Sequence, residues 1–105
     1  MTIELGASFD AAKYIKSEEG QRELIRDAFA SGDSRYIKHA IGIIARAQGG
    51  ISELAKRSGI GRQSLHKALS DKGNPTLDTL LRVTCALHAR LTVVPESVAK
   101  EMAEA

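Results

Sequence analysis

A short run of polar side chains at positions 62–67 has the chemistry to read the edges of nucleic-acid bases. Gln63 can pair through two hydrogen bonds with adenine and Arg62 with guanine, while Ser64 is short enough to reach a base or a phosphate. His66 and Lys67 complete this polar run. The alternative interpretation is that Gln63 and Ser64 are only solvated residues of a first helical turn. Base recognition therefore depends on the element that carries them.

The charge around this run favours an anionic partner. The net charge is only +2, yet residues 34–95 hold ten basic and three acidic side chains, whereas residues 1–33 hold four basic and seven acidic ones. Five basic residues fall within seventeen positions opposed only by Asp71, namely Lys56, Arg57, Arg62, Lys67 and Lys72. Such a local density attracts a polyanion. A solvated helical face is the simpler alternative.

Helices must position these residues, because apolar side chains recur at helical spacing from Phe9 to Leu87 and the breaks carry helix caps. Asp33 and Thr76 are predicted N-caps, and Gly32 is a predicted C-terminal glycine. Six helices are predicted, over about residues 10–16, 18–31, 34–48, 51–58, 62–71 and 77–87.

Two helical faces are predicted to be apolar. The third helix has the most strongly buried stripe, formed by Ile37, Ala40, Ile41, Ile44 and Ala45. The last helix is predicted to place five side chains on one face, namely Leu77, Leu80, Leu81, Thr84 and Leu87. The single cysteine, Cys85, is predicted to be a small packed hydrophobe beside that face.

Residues 90–94 break the helical period, alternate, and are rich in β-branched side chains, which predicts one short strand. A lone strand lacks ladder partners, so antiparallel pairing in a homodimer is expected. Two alternatives stay open: residues 90–94 are a tail packed on their own monomer, or the last helix forms the dimer interface. The tail from Glu96 is helix-prone but has few apolar residues.

Residues 51–70 meet the geometric demands of a helix-turn-helix. Ala55 is small where the second helix must cross closely, and Gly59 suits a left-handed turn. Four apolar residues are expected to point into the angle between the helices, namely Leu54, Ile60, Leu65 and Leu69. The alternative is a structural helical hairpin whose basic face is incidental.

The run from Glu53 to Leu65 resembles the lambda-repressor-like, Xre-type domain, an all-α, five-helix DNA-binding fold with this motif at its second and third helices. Residues 40–49, 64–69 and 73–81, with the Phe-Asp-x-x-x-Tyr-Ile segment at 9–15, resemble the addiction-module antidote proteins, antitoxins encoded beside a RelE/ParE-like toxin. The resemblance spans about residues 9–94. Gly61 departs from the usual serine N-cap, and His66 from the usual tyrosine.

The resemblance implies roles for seven residues at a DNA surface. The second helix of the motif would enter the major groove, with Arg62, Gln63 and Ser64 nearest the base edges and His66 also facing outward. Three further residues would contact phosphate oxygens, namely Lys67, Lys56 and Asn74. Free N–H groups at the start of the helix at position 51 would add to the phosphate contacts.

This organisation predicts three regions: an N-terminal helical arm at 1–32, a helix-turn-helix DNA-binding domain at 33–89, and a C-terminal strand and tail at 90–105. The implied function is an antitoxin that binds operator DNA, represses its own operon and neutralises its toxin, with the acidic arm as the docking charge. The alternatives are a stand-alone Xre-type transcriptional regulator, a protein-sequestering helical module without functional DNA binding, or N-terminal helices that only complete the core.

The sequence lacks the residue patterns that metal binding or catalysis would need. The three histidines, His39, His66 and His88, have no partner at metal-ligand spacing, and no nucleophile motif or phosphate-cradling loop is present. We therefore expect no metal, no cofactor and no enzymatic activity. The longest apolar runs are far shorter than the roughly 20 residues of a membrane helix, and no secretory signal is evident, so a cytoplasmic location is expected.

Overall fold

A computed structural model describes residues 16–97, and every regular element in that range is a helix. The five helices are α1 (Glu18–Ser31), α2 (Ser34–Ala47), α3 (Ile51–Ser58), α4 (Arg62–Ala68) and α5 (Leu77–Ala86). The all-α prediction is therefore confirmed over this range. The helix predicted over about residues 10–16, and nearly all of the tail from Glu96, lie outside it.

Helix ends follow the predicted capping residues. The carboxylate of Asp33 accepts a hydrogen bond from the backbone N–H of Arg35 at 2.9 Å and starts α2. The hydroxyl of Thr76 accepts one from the N–H of Thr79 at 3.1 Å and starts α5. Gly32 ends α1 in the left-handed region, at a φ of 71°. Each cap satisfies backbone groups that a helix end leaves unpaired.

The core forms around α2, whose Ile41 and Ile44 are fully buried as its apolar stripe predicts. α1 contributes Ile25, α4 contributes Leu65 and α5 contributes Val83 to the same buried cluster. Burying each such side chain stabilises the fold by about 1.5–3 kcal/mol relative to its exposure. The described part of the predicted N-terminal arm thus packs on the same core as α3, α4 and α5.

The second helix of the motif is shorter than predicted, because α4 ends at Ala68 rather than near Asp71. Beyond it the chain turns, and the hydroxyl of Ser70 donates to the carbonyl oxygen of Lys67 at 2.7 Å. The carbonyl groups of Ser70 and Asp71 both accept hydrogen bonds from a side chain of α2. These contacts replace the helical bonds that three further residues would have made.

The face predicted for the last helix is wrong in part. Leu77 and Leu81 are 66% and 46% exposed, whereas Val83, absent from the predicted face, is fully buried. The packing of α5 against α3 selects the side of the helix that holds Leu80 and Val83. Cys85 is also exposed, so it is not the packed hydrophobe that the sequence predicted.

The strand predicted over residues 90–94 does not form within the described range, where residues 89–95 are neither helix nor strand. A strand needs a neighbouring ladder for its N–H and C=O groups, and no such ladder lies within residues 16–97. Val93 in this segment is 88% exposed.

Candidate nucleic-acid interface

The outward face of α4 carries the polar run that the sequence singled out. Leu65 is fully buried and faces the core, which turns the remaining polar positions of this short helix outward. The structure leaves five predicted residues exposed on one helix, namely Arg62, Gln63, Ser64, His66 and Lys67.

A tight turn at Gly59, which has a φ of 74°, ends α3 and leads into α4. The backbone N–H groups of Gly59 and Ile60 both donate to the carbonyl oxygen of Ala55, at 2.9 and 3.2 Å. Leu54 is buried at the crossing, and Ile60 packs against the core. The turn at Gly59 and these apolar contacts hold α3 and α4 against each other.

The outward side chains of α4 are available to a ligand. Within the described part of the chain, none of the five makes a side-chain hydrogen bond or ion pair. The N-cap residue is Gly61 in α4 and Gly50 in α3, so neither helix has a side-chain cap. The first-turn N–H groups of α3 are therefore open to an anion.

The two other predicted residues lie outside α4. Lys56 is exposed in the second half of α3, and Asn74 is exposed in the loop between α4 and α5. Arg57, which contributes to the local basic density, is already engaged. Its guanidinium donates to the side-chain oxygen of Gln48 at 2.8 Å and to the carboxylate of Glu53 at 3.3 Å. The side chain of Arg57 is therefore less free to contact a ligand than that of Lys56.

A buried lysine holds the loop that carries Asn74, and sequence reasoning missed it. Lys38, on α2, is only 7% exposed. Its ammonium group donates to the carbonyl oxygens of Ser70 and Asp71 at 3.0 Å each and of Gly73 at 2.8 Å. One signal in the sequence could have identified it. Lys38 lies between Ile37 and the other apolar residues of the α2 stripe, where a lysine side chain is not expected to be solvated.

Gly73 allows the same loop to return against α4. A Cβ atom built on Gly73 would lie 2.7 Å from the carbonyl carbon of Ala68 and would also overlap the carbonyl oxygen of Lys67. Both contacts are to backbone, so neither can be relieved by a side-chain rotation. Only glycine fits here without moving α4 or the loop.

A cleft of about 370 Å³ opens between α2, the start of α3 and the end of α4. His39 and Arg46 line it from α2, and His66 is the only predicted site residue in it. A Cβ at Gly42 would meet nothing within 4 Å, so the cleft is open at this position of α2. The missed signal was the spacing of His39, Gly42 and Arg46, which places them on one face of α2.

Polar contacts fix the position of α3 relative to the first two helices. The side-chain amide of Gln48 donates to the side-chain oxygen of Gln21 at 2.6 Å and accepts from Arg57 through its own oxygen. Gln21 is buried and belongs to α1. This chain of contacts joins α1, the end of α2 and α3, and so supports the element that begins the motif.

Residues 16–97 contain no group of three or more histidine, cysteine or acidic side chains placed to hold a metal ion. None of the described helices has the length and apolarity needed to cross a membrane.

Comparison with known proteins assigns the chain to a family. A family model described as "Probable addiction module antidote protein" matches residues 6–95. An uncharacterized protein of Haemophilus influenzae is 38% identical over 85 residues, which are 81% of this chain and 87% of that relative. No solved structure was found to match the chain. The chain therefore belongs to the family of addiction module antidote proteins.

Proposed function

We propose that this protein is a cytoplasmic antitoxin that binds operator DNA as a homodimer, represses its own operon and neutralises a RelE/ParE-like toxin. Membership of the antidote family supports the antitoxin role and a toxin partner in general. The DNA, the repression and the class of toxin are our proposal. The protein acts by binding and not by catalysis.

The observation that carries the DNA proposal is the outward face of α4. Five polar or basic side chains on this helix are exposed without a partner in the described structure, and Leu65 fixes the helix to the core. Arg62 and Gln63 lie in the first turn, where the recognition helix of such a motif comes nearest to base edges. Their guanidinium and amide groups suit guanine and adenine.

Phosphate contacts come from both sides of the recognition helix. Lys67 lies on α4 itself, Lys56 on α3 and Asn74 in the loop that Lys38 holds. The uncapped N-terminus of α3 adds N–H donors beside the cleft lined by His39. In this arrangement base contacts specify the sequence, and phosphate contacts position the protein on it.

The toxin-docking part of the proposal concerns the acidic N-terminal region. The exposed side of α1 carries Glu19 and Glu23. A toxin that acts on nucleic acid tends to be basic, so acidic side chains speed and orient its docking. Deletion of residues 1–16 and the double variant Glu19→Lys/Glu23→Lys each test this step in a co-expression growth assay. Full neutralisation by both variants would exclude the acidic region as the docking surface.

The central experiment measures binding to the DNA upstream of the gene that encodes this chain. Fluorescence anisotropy should show binding to that duplex at least about 10³-fold tighter than to a shuffled duplex. Arg62→Ala/Gln63→Ala should abolish the preference, whereas the matched control Arg22→Ala, at an exposed position of α1, should keep it. Equal affinity of the wild-type protein for both duplexes would contradict the DNA-binding function.

A second measurement separates the alternatives. Co-expression with the product of the adjacent gene should restore growth if the chain is an antitoxin. Operator binding without neutralisation of any neighbouring product would favour a stand-alone regulator. Neutralisation without operator binding would favour a protein-sequestering module.

A further inference from the structure

Positive charge is concentrated in the cleft between α2, the start of α3 and the end of α4. Its charged and titratable residues are Lys38, His39 and Arg46 from α2 and His66 from α4. Among the described residues that line it, none is acidic. Positive groups gathered in a concave surface raise the local concentration of anions. The cleft therefore has the electrostatic character of an anion site.

Lys38 brings to this cleft a buried charge that has no opposite charge beside it. Its side chain is only 7% exposed, and its three partners are the carbonyl oxygens of neutral peptide groups. No carboxylate within residues 16–97 pairs with it. The carbonyl groups satisfy the N–H donors, but a buried charge remains costly until an opposite charge compensates it. An anion in the cleft would lower that cost.

Two histidines bring hydrogen-bond donors to the cleft from different helices. His39 belongs to α2 and His66 to α4, and both are exposed. Neither side chain makes a hydrogen bond or an ion pair within the described part of the chain. A protonated imidazole offers two N–H donors and a positive charge. The fold thus directs two such groups, 27 positions apart in the sequence, to one cleft.

Gly42 leaves room for a ligand between two of the cationic residues. His39 and Arg46 are two helical turns apart on α2, or about 10 Å along its axis. Gly42 lies between them on the same face, and a Cβ there would meet nothing within 4 Å. A larger residue at position 42 would place its side chain in this space.

We propose that the cleft is a binding site for a phosphate group. His39 and His66 donate hydrogen bonds to its oxygens, and Lys38 and Arg46 supply further positive charge. Phosphate suits these donors because its several oxygens accept charge-assisted hydrogen bonds from more than one direction. The first-turn N–H groups of α3, which begins at the edge of the cleft, add to these donors.

The phosphate group has two possible sources. A backbone phosphate of DNA reaches the cleft when α4 lies in the major groove, because His66 is both on the outward face of α4 and in the cleft. This first source rests on the proposed function. A small phosphate-bearing molecule is the second, since about 370 Å³ falls within the usual 300–1,000 Å³ of ligand pockets and part of the lining, such as Ile51 and Leu69, is apolar.

The first test titrates the intact chain with inorganic phosphate at constant pH and ionic strength, with chloride as the replaced anion. The imidazole Cε1–H signals of His39 and His66 in nuclear magnetic resonance spectra should shift together and saturate, because a bound anion favours protonated imidazole. The signal of His88, which is exposed outside the cleft, should stay in place. Absence of a saturable shift, or equal shifts of all three histidines, would overturn the proposal.

The second test changes the charge of the cleft at an open position. Gly42→Glu places a carboxylate among the cationic residues and should raise the dissociation constant for inorganic phosphate at least about 10-fold. Gly42→Gln has nearly the same size without the charge and should raise it by less than about 3-fold. Circular dichroism should show an intact fold in both, because a Cβ at position 42 has no neighbour to displace. Equal losses in the two variants would overturn the electrostatic basis of the site.

A third test removes the histidine donors and leaves Gly42 unchanged. His39→Gln/His66→Gln should weaken phosphate binding at least about 10-fold, because it removes two charge-assisted donors. The control is His88→Asn, since His88 has a φ of 63° and asparagine tolerates this region. Wild-type affinity in the double variant would contradict the assigned role of both histidines.

Competition separates the two sources. If a backbone phosphate occupies the cleft, inorganic phosphate should weaken operator binding by the wild-type protein at constant ionic strength, but not by Gly42→Glu. If phosphate and operator bind together without competition, the site takes a small phosphate-bearing molecule. Adenosine monophosphate should then shift the signals of His39 and His66 at lower concentrations than inorganic phosphate does.

The phosphate site and the proposed function fail in different ways. If the histidine signals saturate with phosphate while the wild-type protein does not distinguish operator from shuffled DNA, the DNA function is wrong and the phosphate site stands. If the operator is recognised while His39 and His66 do not respond to phosphate, the site is wrong and the DNA function stands.

Discussion

The ammonium nitrogen of Lys38 lies 2.8 Å from the carbonyl oxygen of Gly73, which joins the middle of α2 to the loop after α4. The same ammonium group donates to two neighbouring carbonyl groups, those of Ser70 and Asp71. Three carbonyl oxygens in a turn would otherwise need water or another donor. Lys38 thereby ties the middle of α2 to the loop that follows α4 and carries Asn74.

The contact predicts that Lys38→Met is strongly destabilising. The apolar replacement keeps most of the side-chain volume but leaves the loop carbonyls without their charged donor. We expect the free energy of unfolding to fall by about 1.5–3 kcal/mol in urea titrations. Lys56→Met, at an exposed lysine, should change it by less than about 0.5 kcal/mol. Equal stability of the two variants would show that the hydrogen bonds donated by Lys38 do not stabilise the fold.

Two glycines should respond in opposite ways to alanine. Gly73→Ala places a methyl group against the backbone of Ala68, so we expect a loss of about 1–3 kcal/mol in unfolding free energy. Gly42 lies in the middle of α2, and its added methyl group would meet no neighbouring atom. Because alanine favours a helix more than glycine does, Gly42→Ala should stabilise the protein by about 0.5–1 kcal/mol. Thermal unfolding followed by circular dichroism measures both. A neutral Gly73→Ala variant would show that the loop does not approach α4 as described.

Base recognition and phosphate contact should separate on α4. Gln63→Ala should weaken operator binding by about 1–3 kcal/mol with little change on shuffled DNA. Lys67→Ala should weaken binding to both duplexes alike and reduce the slope of log affinity against log salt by about one. Salt-dependent anisotropy titrations distinguish the two effects. Equal losses on both duplexes for Gln63→Ala would rule out its role in base recognition.

Alkaline pH should destabilise the contact between α1 and α2 through Tyr36. Its hydroxyl donates to the carboxylate of Asp27 at 2.5 Å, and this hydrogen bond, with burial and the nearby negative charge, raises the pKa of Tyr36 above its ordinary 10.0. Because the pKa is higher in the folded state, the stabilisation is fully present below pH 10 and is lost as the pH rises through the raised value.

The matched variant is Tyr36→Phe, which removes only the hydroxyl. Its unfolding free energy should be about 0.5–1 kcal/mol lower at pH 7. Urea titrations at several pH values should show the difference from wild type shrinking above pH 10. A difference that stays constant with pH would show that this hydroxyl is not responsible for the alkaline loss.

Local features of the sequence predicted the helices well. Asp33 and Thr76 start α2 and α5 as N-caps, and Gly32 and Gly59 end α1 and α3 in the left-handed region. These signals act within about four residues, so they need no knowledge of the rest of the fold. The exposure of Arg62, Gln63 and Lys67 also followed from a local pattern, since Leu65 faces the core.

The features that sequence reasoning missed are long-range. Lys38 contacts carbonyl groups 32–35 positions away, and Gln48 contacts a side chain 27 positions away. The sequence also predicted the buried side of α5 wrongly in part. Leucines lie on two faces of this helix, and only the packing against α3 selects the buried one.

The sequence by itself determined the helical elements, their caps and the outward polar face of α4, because each arises from neighbouring residues on one helix or turn. Only the tertiary structure decided that Lys38 holds the loop before α5, that Leu77 and Leu81 stay uncovered, and that His39 and His66 line one cleft. The reason is physical: hydrogen bonds and burial depend on how distant helices meet in space, and the spacing of residues along one helix does not specify that meeting.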